Sequence, residues 1–302
     1  MAAFRVTNTE PNANKTFPRF EGIVRTLHVL RVAVSAGVMG ACLACTGMLA
    51  AQEDPTELAK KTQNPVSDLV SLPFQFNFNN GGDLDDGTFF NLNFQPVVPV
   101  KVSPRWSLIV RTIIPYLSFP GPPERVSGLG DIQGQLYLTP AKSGKIIWGV
   151  GPVVSFPTAT NDLFATGSWA AGPGFVGLTM TGPWVIGALL NQIWTFADDG
   201  SDPEVNQLTF QPFINYNFGQ GWALAFAPLW TANWNAPDGE EWTVPLGIGL
   251  SKTTVFNKRP MTLGLQYYHN VDRPDGSYDN QLRFAISLLY PTAPKPPVGG
   301  SR

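Results

Sequence analysis

Residues 69–79 read LVSLPFQFNFN, and the stretch divides in two: Leu72, Phe74, Phe76 and Phe78 take alternate positions, with Ser71, Gln75, Asn77 and Asn79 among the places between. A period of two is that of an extended strand, whose side chains point by turns to its two faces. The pattern returns at 90–95, where Phe90, Leu92 and Phe94 alternate with Asn91, Asn93 and Gln95. It returns again at 207–218, which sets Leu208, Phe210, Ile214, Tyr216 and Phe218 against Gln207, Thr209, Gln211, Asn215 and Asn217. At 281–290, Leu282, Phe284, Ile286, Leu288 and Tyr290 oppose Gln281, Arg283 and Ser287. Each stretch offers one face to oil and the other to water.

Working outward, residues 69–290 accommodate twelve such stretches joined by eleven connections. The other strands are expected at 106–118, 129–140, 146–156, 168–180, 184–196, 222–234, 242–251 and 261–270; in the sixth and seventh, rich in glycine or apolar on both sides, the phase is ambiguous. Connections alternate in length. The six long ones, 80–87, 119–128, 157–167, 197–206, 235–241 and 271–280, hold fifteen acids and two bases. The five short ones, 102–105, 141–145, 181–183, 219–221 and 252–260, hold six bases and no acid. An even number of strands, long loops at one end and short turns at the other are the marks of an antiparallel β-barrel spanning an outer membrane.

Composition agrees. Only 14% of residues are charged and 12% are aromatic, against roughly 25% charged in ordinary soluble domains. Within the strands, end residues aside, the charges are Arg111, Asp131 and Arg283, each on the polar phase; on the lipid face an Arg or Lys at mid-membrane costs about 2–4 kcal/mol. All nine tryptophans fall near strand ends, where amphipathic rings form girdles at the two membrane interfaces. Seven prolines inside strands (Pro73, Pro96, Pro115, Pro152, Pro212, Pro228, Pro245) cannot donate to a ladder and predict either local bulges or strand boundaries displaced by a few residues.

Ahead of the barrel, an apolar run at 32–51 follows Arg5, Lys15, Arg19, Arg25 and Arg31 and ends in Leu49-Ala50-Ala51, so 1–51 reads as a secretory signal, with a retained membrane anchor as the alternative. Both cysteines, Cys42 and Cys45, lie inside it. Residues 52–68 form a polar segment, periplasmic or tucked into the barrel mouth, with a short helix expected at 56–63 before Asn64-Pro65. Residues 291–302 are a tail beyond the last strand.

The runs AKKTQNPVSDLVSLPFQFNFN, VRTIIPYLS, GLGDIQ, SGKIIWGVGPVVSFPTATND, GPWVIGALLNQIWTF, QPFINYNF and WTVPLGIGL resemble the bacterial outer-membrane transporter-like proteins of the MetA-pathway of phenol degradation family. The resemblance implies an outer-membrane barrel of a Gram-negative bacterium, in contact with lipid and lipopolysaccharide and concerned with uptake of hydrophobic or aromatic compounds. It departs from the usual outer-membrane pattern in that residues 291–302 follow the terminal aromatic, Tyr290.

The parts of an enzyme are missing. The single histidine after residue 51, His269, has Val271 two positions on, where an outer-membrane lipid hydrolase would need a serine. No zinc or serine-hydrolase motif occurs, and GLGDIQG at 128–134 lacks the lysine and the helix of a phosphate loop. Asp83, Asp85 and Asp86, or Asp198, Asp199 and Asp202, place oxygens at short spacing as a calcium site would, but without the twelve-residue calcium-loop pattern; a solvated loop facing lipopolysaccharide is the simpler reading. No cofactor and no nucleic-acid partner is expected.

Twelve strands fall between the eight that side chains fill and the sixteen that leave an open channel. A narrow lumen is therefore expected, lined by Gln75, Asn77, Asn91, Asn93, Gln95, Arg111, Asp131, Gln133, Gln135, Gln211, Asn215, Asn217, Gln266 and Arg283; a hydrogen-bonded plug of the same residues is the alternative. Three functional readings remain: a passive channel for small, hydrophobic or aromatic solutes, which the pattern favours; a scaffold or adhesin working through acidic loops; and a lipid-modifying enzyme.

Overall fold

The computed structural model describes residues 54–82, 87–121, 124–142, 144–197, 204–257 and 259–290. The signal segment with its cysteines, the tail after Tyr290 and the six aspartates weighed as calcium ligands lie outside the described residues.

Twelve strands follow one another around a closed antiparallel barrel. They are β1 (Val70–Asn80), β2 (Phe89–Phe94 and Val97–Lys101), β3 (Trp106–Phe119), β4 (Val126–Leu129 and Ile132–Pro140), β5 (Ile146–Phe156) and β6 (Trp169–Thr181). The second half is β7 (Trp184–Ala197), β8 (Asn206–Gly219), β9 (Trp222–Phe226 and Trp230–Asn233), β10 (Trp242–Phe256), β11 (Arg259–Asp272) and β12 (Asn280–Tyr290). Each pairs with its sequence neighbours, and β1 closes on β12 from Val70 opposite Tyr290 to Asn80 opposite Asn280. Closure leaves no free strand edge in the hydrocarbon, where an unpaired backbone group would be costly.

The prolines act in two ways. In β2 the pairing lapses at Gln95 and Pro96, yet Phe94 faces Phe74 and Val97 faces Ser71, so the register runs through. In β9 the lapse surrounds Pro228, and Ile214–Phe226 and Phe210–Trp230 pairs on either side keep one register. A proline removes a donor without inserting a residue, so at these two places the ladder thins and does not slip. True register shifts do accompany two of the prolines, at Val244/Pro245 and between the two pieces of β4 at Gly130 and Asp131, opposite Pro115; the others fall at Trp169/Ala170 and Asn217/Gly219. The 252–260 turn is also tighter than the sequence suggested, because Thr253, Thr254 and Val255 extend β10 until Phe256 faces Arg259. Lys252, counted with that turn, belongs to β10, with its ammonium 4.9 Å from the Trp222 ring centre.

Outside, one phase of every strand is apolar and exposed: Phe175, Ile186, Leu190, Ile214, Ile248, Leu250, Leu265 and Phe284 among them. So wide an apolar exterior fits a hydrocarbon solvent and not water. Aromatic pairs edge it at both ends, Trp106 with Trp148 and Trp184 with Tyr216 at the short-turn end, Trp234 with Trp242 and Phe156 with Trp169 at the other.

Before β1, helix α1 (Pro55–Thr62) starts at Asp54, whose carboxylate accepts from the Thr56 N–H, with proline in the first turn. The segment lies across the short-turn end. Thr56 Oγ1 accepts from the Gly221 N–H, and Gln63 and Asn217 exchange amide hydrogen bonds of 3.0 Å in both directions. Leu58 packs with Leu69 and Leu289, and Val66 enters the barrel's interior cluster.

Candidate functional site

The inner wall has two unlike sectors. On β12 and β1 to β4 it carries two hydrogen-bonded groups of polar side chains, beside the apolar Val97 and Ile109. Arg283 donates from Nε to Asn77 Oδ1 (2.7 Å) and from Nη2 to Gln281 Oε1 (2.9 Å), and its guanidinium lies 5.3 Å from the Tyr268 ring centre. Asn77 in turn donates to the Asn91 carbonyl, Gln281 to Asn79 Oδ1, and Asn79 to the Phe89 carbonyl. Further along, Gln95 donates to Gln75 Oε1 (3.1 Å) and accepts from Arg111 Nη2 (2.7 Å); Arg111 Nη1 reaches Gln135 Oε1 (3.4 Å), which also accepts from the Tyr137 hydroxyl, and Gln135 donates to Gln133. The ladder thus brings together Gln75, Asn77, Gln95, Arg111, Gln133, Gln135 and Arg283 from the expected lining, with Asn91 and Asn93 facing Asn77 and Gln75, and Gln266 facing Arg283.

Four of the fourteen are placed otherwise. Asp131 does not reach either arginine; it gathers the long connection after β5, accepting from the N–H groups of Thr158, Ala159 and Thr166 and from the Thr166 hydroxyl at 2.7–3.0 Å. Its place in the β4 bulge turns the carboxylate onto the loop. Asn217 is held under the amino-terminal segment by Gln63 and also donates to the Pro183 carbonyl. Asn215 is buried on the same strand, and Gln211 faces Leu189 in a different neighbourhood from the ladder.

The opposite sector, β5 to β8, fills its inner face with Val153, Val176, Leu178, Val185, Leu189 and Phe213, all nearly inaccessible. Val66, Val97, Ile109 and Tyr137 join most of these in one cluster. Glycine makes room for it: a Cβ on Gly174 would stand 2.8 Å from Val153 Cγ2 and 3.1 Å from the Tyr137 ring. Sequence reasoning passed over Tyr137, Tyr268, Asn79 and Gln281 as lining residues, although each sits two positions from a chosen one and shares its face.

At the long-loop end, Phe89, Phe119, Leu163, Phe164, Pro274 and Tyr278 surround a cavity of about 360 Å³. Phe89 stacks near Phe119 and Tyr278, with ring centres 5.6 and 6.2 Å away. Two aspartates hold the loops that build it. Asp131 fixes residues 157–168, including the short 3₁₀ turn Asp162–Phe164; Asp279 accepts from Arg273 Nε and the Gly82 N–H, both at 2.8 Å. Burial pushes the Tyr278 hydroxyl pKa up, the Arg283 charge and a hydrogen bond with Gln281 working against it, so this phenol stays neutral. The aromatic mouth therefore adjoins Arg283 and the amide ladder.

His269 points to the outside, where its Nδ1 and the Tyr267 hydroxyl both meet Asn280 Oδ1 (3.1 and 2.6 Å). Val271, also exposed, offers no nucleophile.

No protein-family model matches the chain, and none of the curated proteins does. Among solved structures, an outer-membrane channel from Pseudomonas putida F1 superposes with a TM-score of 0.53 at 14% identity, over 74% of this chain and 94% of that one. The NanC porin gives 0.47 at 10% identity over 74% and 100%, and the CymD monoaromatic hydrocarbon channel 0.43 at 11% over 82% and 94%. At such identities the likeness speaks to fold alone. The fold is that of a bacterial outer-membrane β-barrel.

Proposed function

We propose that this protein is a passive outer-membrane channel for small solutes with an apolar or aromatic body. The observation that carries this reading is the aromatic vestibule of Phe89, Phe119, Phe164 and Tyr278 at the long-loop end, opening beside a polar, water-compatible inner wall. A flat ring shed from water finds matching faces there, and the ladder below offers hydrogen bonds to whatever polar group it carries. The resemblance of the quoted sequence runs to the transporter-like proteins of the MetA-pathway of phenol degradation family is in keeping with the same class of solute. In this reading the acidic long loops face the exterior and the basic turns the periplasm, and segment 54–69 is the obstacle a solute has to pass at the inner end.

The test is electrical. Purified protein in a planar bilayer is expected to carry an ion current that a small aromatic solute, added from the long-loop side, interrupts; replacing Phe89 and Phe119 by Ala is expected to abolish the interruption while current remains. Absence of any current, together with normal growth of a deletion strain on low concentrations of aromatic carbon sources, would end the proposal.

A further inference from the structure

The inner wall holds two guanidinium groups and, among the described residues, no carboxylate pairs with either: every polar partner of Arg111 and Arg283 is a neutral amide oxygen. A guanidinium has five N–H donors. Arg111 spends two on Gln95 and Gln135, and Arg283 spends two on Asn77 and Gln281. That leaves three apiece without a protein acceptor among the described residues. A cation withdrawn from water without a counter-ion is expensive, and neutral amides offset only part of the cost. The one carboxylate expected on this wall, Asp131, is fully engaged by the 157–168 loop. The interior therefore carries uncompensated positive charge on its polar side.

Charge of one sign inside low-dielectric walls concentrates the opposite ion. Planar, forked donors suit the two oxygens of a carboxylate. Across the interior stands the apolar cluster of Leu189, Phe213 and their neighbours, which would shun a fully hydrated inorganic anion. We propose that Arg111 and Arg283 form two successive carboxylate-binding positions, and that the favoured solute is a small organic acid whose aromatic or aliphatic body meets the vestibule and the apolar sector. The transport part rests on the channel reading; the binding part stands without it.

The experiment is calorimetric titration of the detergent-folded protein with benzoate, benzyl alcohol, benzylamine and inorganic phosphate. Benzoate is expected to bind at least about tenfold more tightly than the other three, a margin one charge-assisted pairing supplies, and to weaken as salt is raised. R111Q and R283Q should each cost benzoate about tenfold and leave benzyl alcohol unchanged, while R111K and R283K should restore part of the loss. Equal affinity for benzoate and benzyl alcohol, phosphate binding as tight as benzoate, or a double variant that keeps wild-type benzoate affinity would each overturn the proposal. Heat-modified gel migration establishes that the variants are folded; should they not fold, the four-ligand comparison on the wild type decides alone. A bilayer without current would sink the channel reading and leave the outcome of the titration standing.

Discussion

The two sectors of the inner wall solve one problem by opposite means. Both must fill the inside of a twelve-stranded barrel, and both are shielded from lipid by the same apolar exterior. From β12 through β4 much of the filling is amide side chains, hydrogen-bonded in two groups that tie in Arg283 and Arg111. From β5 to β8 it is hydrocarbon, packed around the Tyr137 ring and sealed by Val66 from the amino-terminal segment. Polar filling satisfies two buried cations with amide oxygens; apolar filling packs tightly and anchors the segment at the inner end. One barrel thus has a wall tied by hydrogen bonds and a wall that holds by packing.

If that division is right, the largest loss of stability comes from the holding wall. Phe213→Ala, at a side chain 5% exposed, is expected to cost about 3–5 kcal/mol through lost burial and a cavity, measured by urea unfolding in phospholipid vesicles. Gln266→Ala on the ladder side should cost under about 1 kcal/mol, since that site is half-exposed. Equal losses would mean the interior is filled uniformly. Next in size is the exterior: Phe284→Arg puts a charge in lipid at about 2–4 kcal/mol, whereas Gln266→Arg, facing inward, should insert nearly as well as the wild type. A barrel that tolerates both has its faces misassigned.

The same contrast explains what could be read from the sequence. Where the inner face is polar, hydrophobicity alternates, and β1 and β12 announce both their extent and their phase, as in Phe74, Phe76 and Phe78 against Gln75, Asn77 and Asn79; β2 announces its phase at 90–95 but not its continuation through Val97–Lys101 beyond Pro96. In β6 and β7 the inner Val176, Leu178, Val185 and Leu189 are as apolar as the outer Phe175, Ile186 and Leu190. Alternation vanishes there because both sides meet oil, one of membrane and one of core. Strand number and loop-length alternation survived this, being set by turn chemistry and charge. Asp131 shows a second limit: its parity placed it on the wall with Arg111, but a one-residue shift between the pieces of β4 re-aimed it at a loop that no local pattern connects to it.

That re-aimed carboxylate gives a test of how the mouth depends on the polar wall. Asp131→Asn retains the size but replaces one acceptor oxygen by a donor facing N–H groups, at a cost of about 1–3 kcal/mol. The cost should be local. Limited proteolysis of the folded protein should cut faster within residues 157–168, and aromatic blockade of the channel should weaken as Phe164 loses its place, with the unfolding midpoint of the barrel little changed. An unaltered cleavage rate would mean the loop is held by the vestibule aromatics alone.

The finest comparison is one substitution made in both walls. Asn77 and Asn191 are each 1% exposed on an inner face. Asn77 serves Arg283 and the Asn91 carbonyl; the Asn191 amide finds no protein partner for either of its polar atoms among the described residues, and stands on β7 between Leu189 and Ile193. Leucine repeats the branched outline of asparagine and adds volume at both sites alike, so the difference between the two variants carries the comparison. Asn77→Leu removes an acceptor from a buried guanidinium and should cost about 1–3 kcal/mol. Asn191→Leu carries the same added volume but removes only an unmatched amide from apolar surroundings, and should cost less than Asn77→Leu by about 1 kcal/mol or more. Were Asn191→Leu as damaging as Asn77→Leu, the apolar sector would contain a polar contact that the division into two walls leaves no room for.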